Sequence, residues 1–140
     1  MSDSIVIIPT YNEKENIEAI LSAVFSLSHP FDVLVVDDGS PDGTADIVKN
    51  LQAQYSGRLH ILERSGKQGL GTAYIAGFRY ALSNAYEYVL EMDADFSHDP
   101  KDLVHLRKSC EEGSDVAIGS RYATGVNVVN WPMGRVLLSY

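Results

Sequence analysis

The chain is poor in basic residues and in cysteine. Over 140 residues, 11 Lys and Arg face 19 Asp and Glu, for a formal net charge of −8. That balance excludes a nucleic-acid surface and offers no polybasic membrane anchor. The single cysteine, Cys110, cannot close an internal disulfide, which fits a reducing compartment. No apolar run approaches the length of a membrane span, and no signal-peptide pattern is read at the start. There is no internal repeat, low-complexity tract or linker, so the chain is read as one domain, long enough for a proper core. His29, His60, His98 and His105 lack the mutual spacing of a metal cluster. Nor is there a dinucleotide fingerprint or a P-loop. Gly69-x-Gly71 is followed by Tyr74 where a third glycine belongs, and no Gly-Lys-Ser/Thr occurs.

What is present is an alternation of short apolar runs and helical patterns. Ile5 to Ile8 reads as a strand covered on both faces and stopped by Pro9. After the loop Thr10-Tyr11-Asn12-Glu13 a helix is expected to about Ser28, with Asn12 and Glu15 spaced as a capping box. Its apolar stripe is Ile17, Ile20, Leu21, Val24 and Phe25. Val33 to Val36 is a second strand, ending in Asp37-Asp38-Gly39-Ser40-Pro41-Asp42-Gly43, a loop dense in turn formers. The next helix shows Ile47, Val48, Leu51 and Tyr55 on one side. Asp38, Ser40, Asp42 and Gly43 imitate the start of a calcium loop. The closing Glu is Lys49, however, Pro41 sits inside, and a strand precedes it, so calcium is rejected.

Leu59 to Glu63 is a third strand. A Gly-rich loop from Arg64 to Gly71 leads from it into a helix with Leu70, Ala73, Tyr74, Gly77, Phe78, Ala81 and Leu82 at helical spacing. Such turns present backbone N–H groups to phosphate, and Lys67 is the loop cation expected to face the ligand. The fourth strand, Tyr88 to Asp95, ends in the carboxylates Asp93 and Asp95. Asp99 is then an N-cap and Pro100 a first helical residue, for a helix to about Glu112 that buries Leu103, Leu106 and Cys110. Val116-Ala117-Ile118 is a fifth apolar run, left by Gly119-Ser120-Arg121-Tyr122. Residues 123 to 132 read as loop, and Met133 to Tyr140 begins a helical pattern.

This alternation implies an α/β layer structure with a mainly parallel sheet between helices. Strand ends one, two, four and five carry Tyr11 and Glu13, Asp37 and Asp38, Asp93 and Asp95, and Arg121. Ends of parallel strands lie on one edge, where ligands bind. Two carboxylates one residue apart repel unless a cation neutralises them, and hard oxygen ligands suit Mg²⁺ or Mn²⁺ shared with substrate phosphates. Asp-x-Asp alone is also the composition of a solvated acidic turn. The convergence with a Lys, an Arg and Gly-rich turns points instead to a metal-bound nucleotide diphosphate. His98, next to the carboxylates, is a further candidate to approach the ligand. Neighbouring strand-end Asp residues do not suit glycoside hydrolysis, where two carboxyl groups flank a sugar.

Five segments then occur together and in order: Val6-Ile7-Ile8-Pro9-Thr10-Tyr11-Asn12-Glu13, Val35 to Thr44, Gly69-Leu70-Gly71-Thr72-Ala73-Tyr74, Met92 to His98, and Gly119-Ser120-Arg121-Tyr122. In this combination the chain resembles the family 2 glycosyltransferases, and within them the dolichyl-phosphate mannosyltransferase (polyprenyl-phosphate sugar synthase) group. The resemblance implies a Rossmann-like nucleotide-diphospho-sugar transferase fold (GT-A). It implies an inverting transfer of a sugar, foremost mannose from GDP-mannose, to a polyprenyl phosphate. Pro9, Tyr11 and Glu13 would line the nucleotide pocket, and Val36 and Asp38 would meet base and ribose. Asp93, Ala94 and Asp95 would meet the sugar diphosphate, with Asp93, Asp95 and Ser97 as candidate metal ligands. Lys67 and Arg121 would face phosphates, Arg121 with a catalytic share, and Arg135 would add a further cation. The same resemblance places the protein in the cytoplasm, at the cytoplasmic face of a membrane. It also predicts that residues 1–140 are the donor part of a single, longer catalytic domain. Two alternatives remain open: a UDP-sugar donor with a lipid-phosphate or polysaccharide acceptor, and a non-catalytic nucleotide-sugar-binding module.

Overall fold

Ile5, Val6, Ile7 and Ile8 are all wholly buried, as a strand covered on both faces requires. A computed structural model describes residues 2–66, 68–119 and 126–129 of the chain. The elements in order are β1 (Ser4–Thr10), α1 (Ile17–Phe25), β2 (Asp32–Asp37), α2 (Thr44–Leu51), β3 (Leu59–Glu63), α3 (Leu70–Ser83), β4 (Tyr88–Glu91), α4 (Asp102–Glu111), β5 (Val116–Gly119) and β6 (Val126–Val129).

Four strands form a parallel sheet in the order β3-β2-β1-β4. The chain builds outward from β1 to β3, then returns across the sheet to place β4 on the other side of β1. Side chains alternate faces along each strand. Val6, Ile8, Val33 and Val35 pack with Ile17, Ile20, Leu21 and Val24 of α1, Val48 of α2 and Leu103 of α4. Ile5, Ile7, Leu34 and Val36 pack with Ala73, Tyr74 and Ala81 of α3. Helices therefore cover both faces, as right-handed crossovers with a reversal of direction produce. Burial of each such aliphatic side chain contributes about 1.5–3 kcal/mol. Among the described residues, no helix is long and apolar enough to cross a membrane.

Several expected boundaries moved. The Asn12–Glu15 capping box does not form. Asn12 adopts a left-handed φ of 56° and donates its N–H to Ser40 Oγ, and α1 starts only at Ile17 and ends at Phe25. Tertiary bonds to the loop after β2 outcompete the local cap. β4 stops at Glu91, short of the expected Asp95, and the following residues turn away after Met92 N–H reaches Ile7 O. Asp99 Oδ1 accepts the Lys101 N–H, but regular helix begins at Asp102. Leu103 is buried there, whereas Leu106 and Cys110 are half-buried. On α3, Leu70 and Leu82 are exposed rather than packed: Leu70 is the first residue of the helix, and Leu82 turns outward one residue after the wholly buried Ala81.

The largest departure concerns β5. It pairs antiparallel with β6 in a separate two-stranded sheet rather than extending the parallel one. A four-residue apolar run does not specify its partner, and a nearby second run closes a hairpin with a shorter loop. Val126–Val129 was expected as loop and is strand. The helical pattern expected from Met133 lies outside the described residues.

Gly77 sets how closely α3 approaches the sheet. A Cβ built there would fall 2.6 Å from Ile7 Cγ2. Alanine would gain about 1 kcal/mol of helix propensity. Ile7 is β-branched and wholly buried, so overpacking at about 1–3 kcal/mol outweighs that gain. Gly77→Ala should therefore destabilise the chain by about 1 kcal/mol in a urea titration; a more stable variant would show that the helix can lift.

At the opposite edge from the strand ends, Arg107 joins α4 to the start of β1. Its Nη2 donates to Asp3 Oδ2 at 2.6 Å and its Nε to Ser4 Oγ at 2.8 Å, while the guanidinium lies 4.8 Å from the centre of the Tyr88 ring. The bond from Arg107, with that from Ser4, lowers the Asp3 carboxyl from 3.8 to about 2. A depressed carboxyl stabilises the fold above its unfolded value and loses that contribution as pH falls through its folded value. Thermal melts across the window from 3.8 down to about 2 should show a shallower acid loss for Asp3→Asn than for the unmodified chain.

Candidate donor-binding site

The reversal of strand order lies between β1 and β4, and the crevice at such a point is where open α/β sheets bind ligands. The loops leaving β1, β2 and β4 meet there. The first two are laced together. Thr10 Oγ1 donates to Asp37 Oδ1 at 2.6 Å, Asn12 N–H to Ser40 Oγ at 2.9 Å, Glu13 N–H to Thr44 Oγ1 at 3.1 Å and Lys14 N–H to Asp42 Oδ2 at 3.1 Å. Pro9 and Glu13 are half-buried and Tyr11 is exposed on this rim. Val36 is wholly buried, with its backbone in the sheet between Pro9 and Leu62 and its side chain in the core.

Adjacent carboxylates have opposite employments. Asp37 is buried, and its oxygens accept from the Thr10 hydroxyl, the Ser40 hydroxyl and the Ser40 N–H. It folds the loop. Asp38 is held by a side chain from β3's end: Arg64 Nε donates to Oδ1 at 2.6 Å and Nη2 to Oδ2 at 2.8 Å. That pairing pushes the Arg64 guanidinium above its ordinary value. Gly39 adopts φ 70°, and a Cβ there would meet Arg64 O at 3.3 Å, so the two loops close up only over glycine.

The acidic turn after β4 is similarly divided. Tyr74 of α3 donates its hydroxyl to Asp93 Oδ1 at 3.1 Å, and the Ser97 hydroxyl lies 3.5 Å from Asp93 Oδ2. The Ser97 N–H donates to Asp95 Oδ1 at 3.0 Å. The Ser97 hydroxyl and N–H together hold the Asp95 carboxyl below the usual range. Ala94 between them is buried, while Asp95 is exposed. The Asp93 N–H points to His98 Nδ1 at 3.4 Å, so His98 does approach the carboxylates, as a brace for their backbone. Two residues before Asp93, burial and then the Asp93 charge push the Glu91 carboxyl up to about 8, and its Oε1 has no hydrogen-bond partner among the described residues.

Among the described residues, no group of three or more His, Cys, Asp or Glu could hold a metal ion. Asp93 and Asp95, with the Ser97 hydroxyl beside them, form a hard but incomplete oxygen set. It fits a divalent cation whose remaining ligands are water and diphosphate, the habit of Mg²⁺. A hollow of about 700 Å³ lies beside this turn, between Ala23 and Leu27 on one side and Phe96 and Pro100 on the other, and does not include the carboxylates.

Asp38, Asp93, Ala94, Asp95, Ser97, Pro9, Tyr11 and Glu13 thus gather at one edge. Lys67, Arg121 and Arg135 lie outside the described residues. Lys67 is not the loop's single cation toward the ligand edge, since Arg64 turns to Asp38 there. The sequence signal for Arg64 was its place directly after a strand end. Tyr74 falls on the helix stripe and in the Gly69–Tyr74 segment, and nothing in its spacing announces the hydroxyl bond to Asp93. Glu91 was hidden in an apolar run, although its two-residue offset from Asp93 put both on one face.

Phe96 carries φ 62° and is 45% exposed. A bulky residue in the left-handed region costs about 1–3 kcal/mol, and glycine adopts that conformation freely. Phe96→Gly should raise stability by about 1 kcal/mol in chemical denaturation; a loss of stability would mean that the ring's contacts outweigh the strain.

The chain is 47% identical over 136 residues to the polyprenol monophosphomannose synthase of Mycolicibacterium smegmatis, covering 97% of this chain and 51% of that protein. It is 45% identical over 136 residues to the undecaprenyl-phosphate mannosyltransferase of Micrococcus luteus, covering 97% of this chain and 55% of that one. The chain therefore spans about half the length of these relatives. A solved mannosyltransferase from Pyrobaculum calidifontis, in complex with GDP-Man and Mn²⁺, superposes with a TM-score of 0.66 at 29% identity, over 76% of this chain and 32% of that one. The fold is accordingly that of the GT-A glycosyltransferases. The family model described as glycosyl transferase family 2 matches residues 5–139, and the chain belongs to that family.

Proposed function

We propose that this chain is the donor-binding part of an inverting glycosyltransferase that moves mannose from GDP-mannose to a polyprenyl phosphate. The observation that carries the reading is that Asp38 and the Asp93–Asp95 turn leave β2 and β4, the two strands flanking β1, at the same edge of the parallel sheet. Asp38 ends β2 and Asp93 follows β4, with β1 between them, so the two stations lie about two strand spacings, ~10 Å, apart. That span suits a nucleoside at one end and a sugar diphosphate at the other. The names of the relatives, polyprenol monophosphomannose synthase and undecaprenyl-phosphate mannosyltransferase, favour mannose and a lipid phosphate.

In this reading Pro9, Tyr11 and Glu13 line the nucleoside, with Asp38 at the ribose and base and Val36 behind it in the core. Asp93 and Asp95 hold Mg²⁺ or Mn²⁺, which supplies neutralisation of charge on the departing diphosphate. Lys67 and Arg121 face the phosphates. Tyr74 and Ser97 orient Asp93, and Ser97 orients Asp95. The acceptor oxygen attacks the anomeric carbon from the face opposite the diphosphate. A phosphate monoester is already largely dianionic near neutrality, so this acceptor needs no general base. Positioning and charge stabilisation then carry the acceleration. A lipid acceptor places the whole protein at the cytoplasmic face of a membrane.

Isothermal titration of the chain with GDP-mannose, GDP, UDP-glucose and UDP, with and without Mn²⁺, tests the donor side. Metal-dependent binding selective for GDP, lost in Asp95→Ala, is expected. UDP selectivity would replace the donor, and no binding to a folded chain would overturn the reading. Transfer is checked by the passage of labelled mannose into the organic phase with a polyprenyl phosphate as acceptor.

A further inference from the structure

We infer that Arg64 is a positioning residue for the nucleoside end of the donor, acting through Asp38. The inference rests on the donor-site reading above and assigns work to a side chain that the motifs do not single out.

Both partners are nearly buried, Arg64 at 12% and Asp38 at 8% side-chain exposure. The pairing is a two-pronged one, Nε to Oδ1 and Nη2 to Oδ2, which fixes the carboxylate plane as well as its place. Arg64 is itself held at three points, one on its backbone and two on its guanidinium. Its backbone N–H donates to Asp37 O at 2.8 Å, at the end of β2. Its Nη1 donates to Thr72 Oγ1 at 3.0 Å and its Nη2 reaches Gly69 O at 3.4 Å, at the start of α3. One side chain thus ties the end of β2, the end of β3 and the first turn of α3 together.

A carboxylate oxygen has two lone pairs. The Arg64 fork takes one on each oxygen of Asp38 and leaves one on each. Asp38 then offers fixed single acceptors to a ribose hydroxyl or a base N–H. Without the fork it is a nearly buried anion, unpaired and free to turn about its terminal torsion. Asp37 next door shows the contrast, because its donors come from Ser40 in its own loop and from Thr10 at the end of β1, with no cation involved. Lysine is no substitute, since an ammonium group cannot span both oxygens and Thr72 in one plane.

A structural staple would show the same bonds, so the test must separate positioning from folding. GDP is titrated in Mn²⁺ into the chain and its Arg64→Gln, Arg64→Lys, Asp38→Asn and Asp38→Asn/Arg64→Gln variants. Circular dichroism at the titration temperature identifies the folded variants. Arg64→Gln should weaken GDP about tenfold or more, the worth of a lost charge-assisted bond, with Arg64→Lys recovering little of it. Because Arg64 acts through Asp38, the double variant should bind no worse than Asp38→Asn alone. Folded Arg64→Gln with unchanged affinity, or losses that simply multiply in the double variant, would overturn the inference. If Arg64→Gln does not fold, Arg64→Lys decides, and full affinity there overturns it equally. No uptake of nucleotide by the unmodified chain would instead overturn the donor reading and this inference with it.

Discussion

The site depends on β1 being hydrogen-bonded in parallel on both sides. Its register sets Thr10 opposite Asp37 and Ile7 opposite both Leu34 and Glu91. Once those rungs are fixed, Asp38 emerges one residue beyond the end of β1's pairing with β2, and Asp93 two residues beyond Glu91. Nothing about either acidic turn needs to encode its distance from the other. The wholly buried Ile5 to Ile8, which no single-faced strand would tolerate, secures that register from above and below.

A second regularity is the division of labour within each acidic pair. Asp37 is consumed by its own loop, and Asp38 is turned to a guanidinium and to the crevice. Asp93 is braced by Tyr74 and Ser97, and Asp95 stands exposed. At the end of β2 the two acids are therefore not copies of one role: buried Asp37 holds the loop that presents Asp38. After β4 the two are fixed separately, Asp93 from α3 through Tyr74 and Asp95 by the Ser97 N–H of its own turn.

The strands that make the parallel sheet were legible because continuous apolar runs closed by acids such as Asp37 and Asp93 have few other uses, although β1 runs through Pro9 to Thr10 instead of stopping at the proline. β3 was found with its bounds intact, and the α1 stripe was read correctly. The acidic turns were legible because their composition is unusual at a strand end. Other features were decided by long-range competition. The capping box at Asn12 lost to Ser40, a residue 28 positions away. The four residues of β5 are apolar enough for either kind of sheet, and their partner was set by Val126–Val129. Arg64 was passed over because sequence shows a cation near a glycine loop but not which way it turns. Charge, spacing and periodicity describe where a side chain starts, and the pairing of Arg64 with Asp38 is a statement about where it ends.

The lacing between the loops after β1 and β2 has a consequence for how such proteins change over generations. Asn12, Glu13 and Lys14 lend their backbone N–H groups to Ser40, Thr44 and Asp42, so the sheet is continued past its last rung by side chains in place of a second backbone. A donor on the backbone is indifferent to the residue that carries it, whereas each acceptor is a particular side chain. The shape of the first loop therefore constrains its sequence less than that of the second, except at Asn12, whose left-handed φ favours asparagine or glycine. Diversity at this edge is expected to accumulate on the rim near Tyr11, with the loop after β2 acting as the template that keeps every version in register.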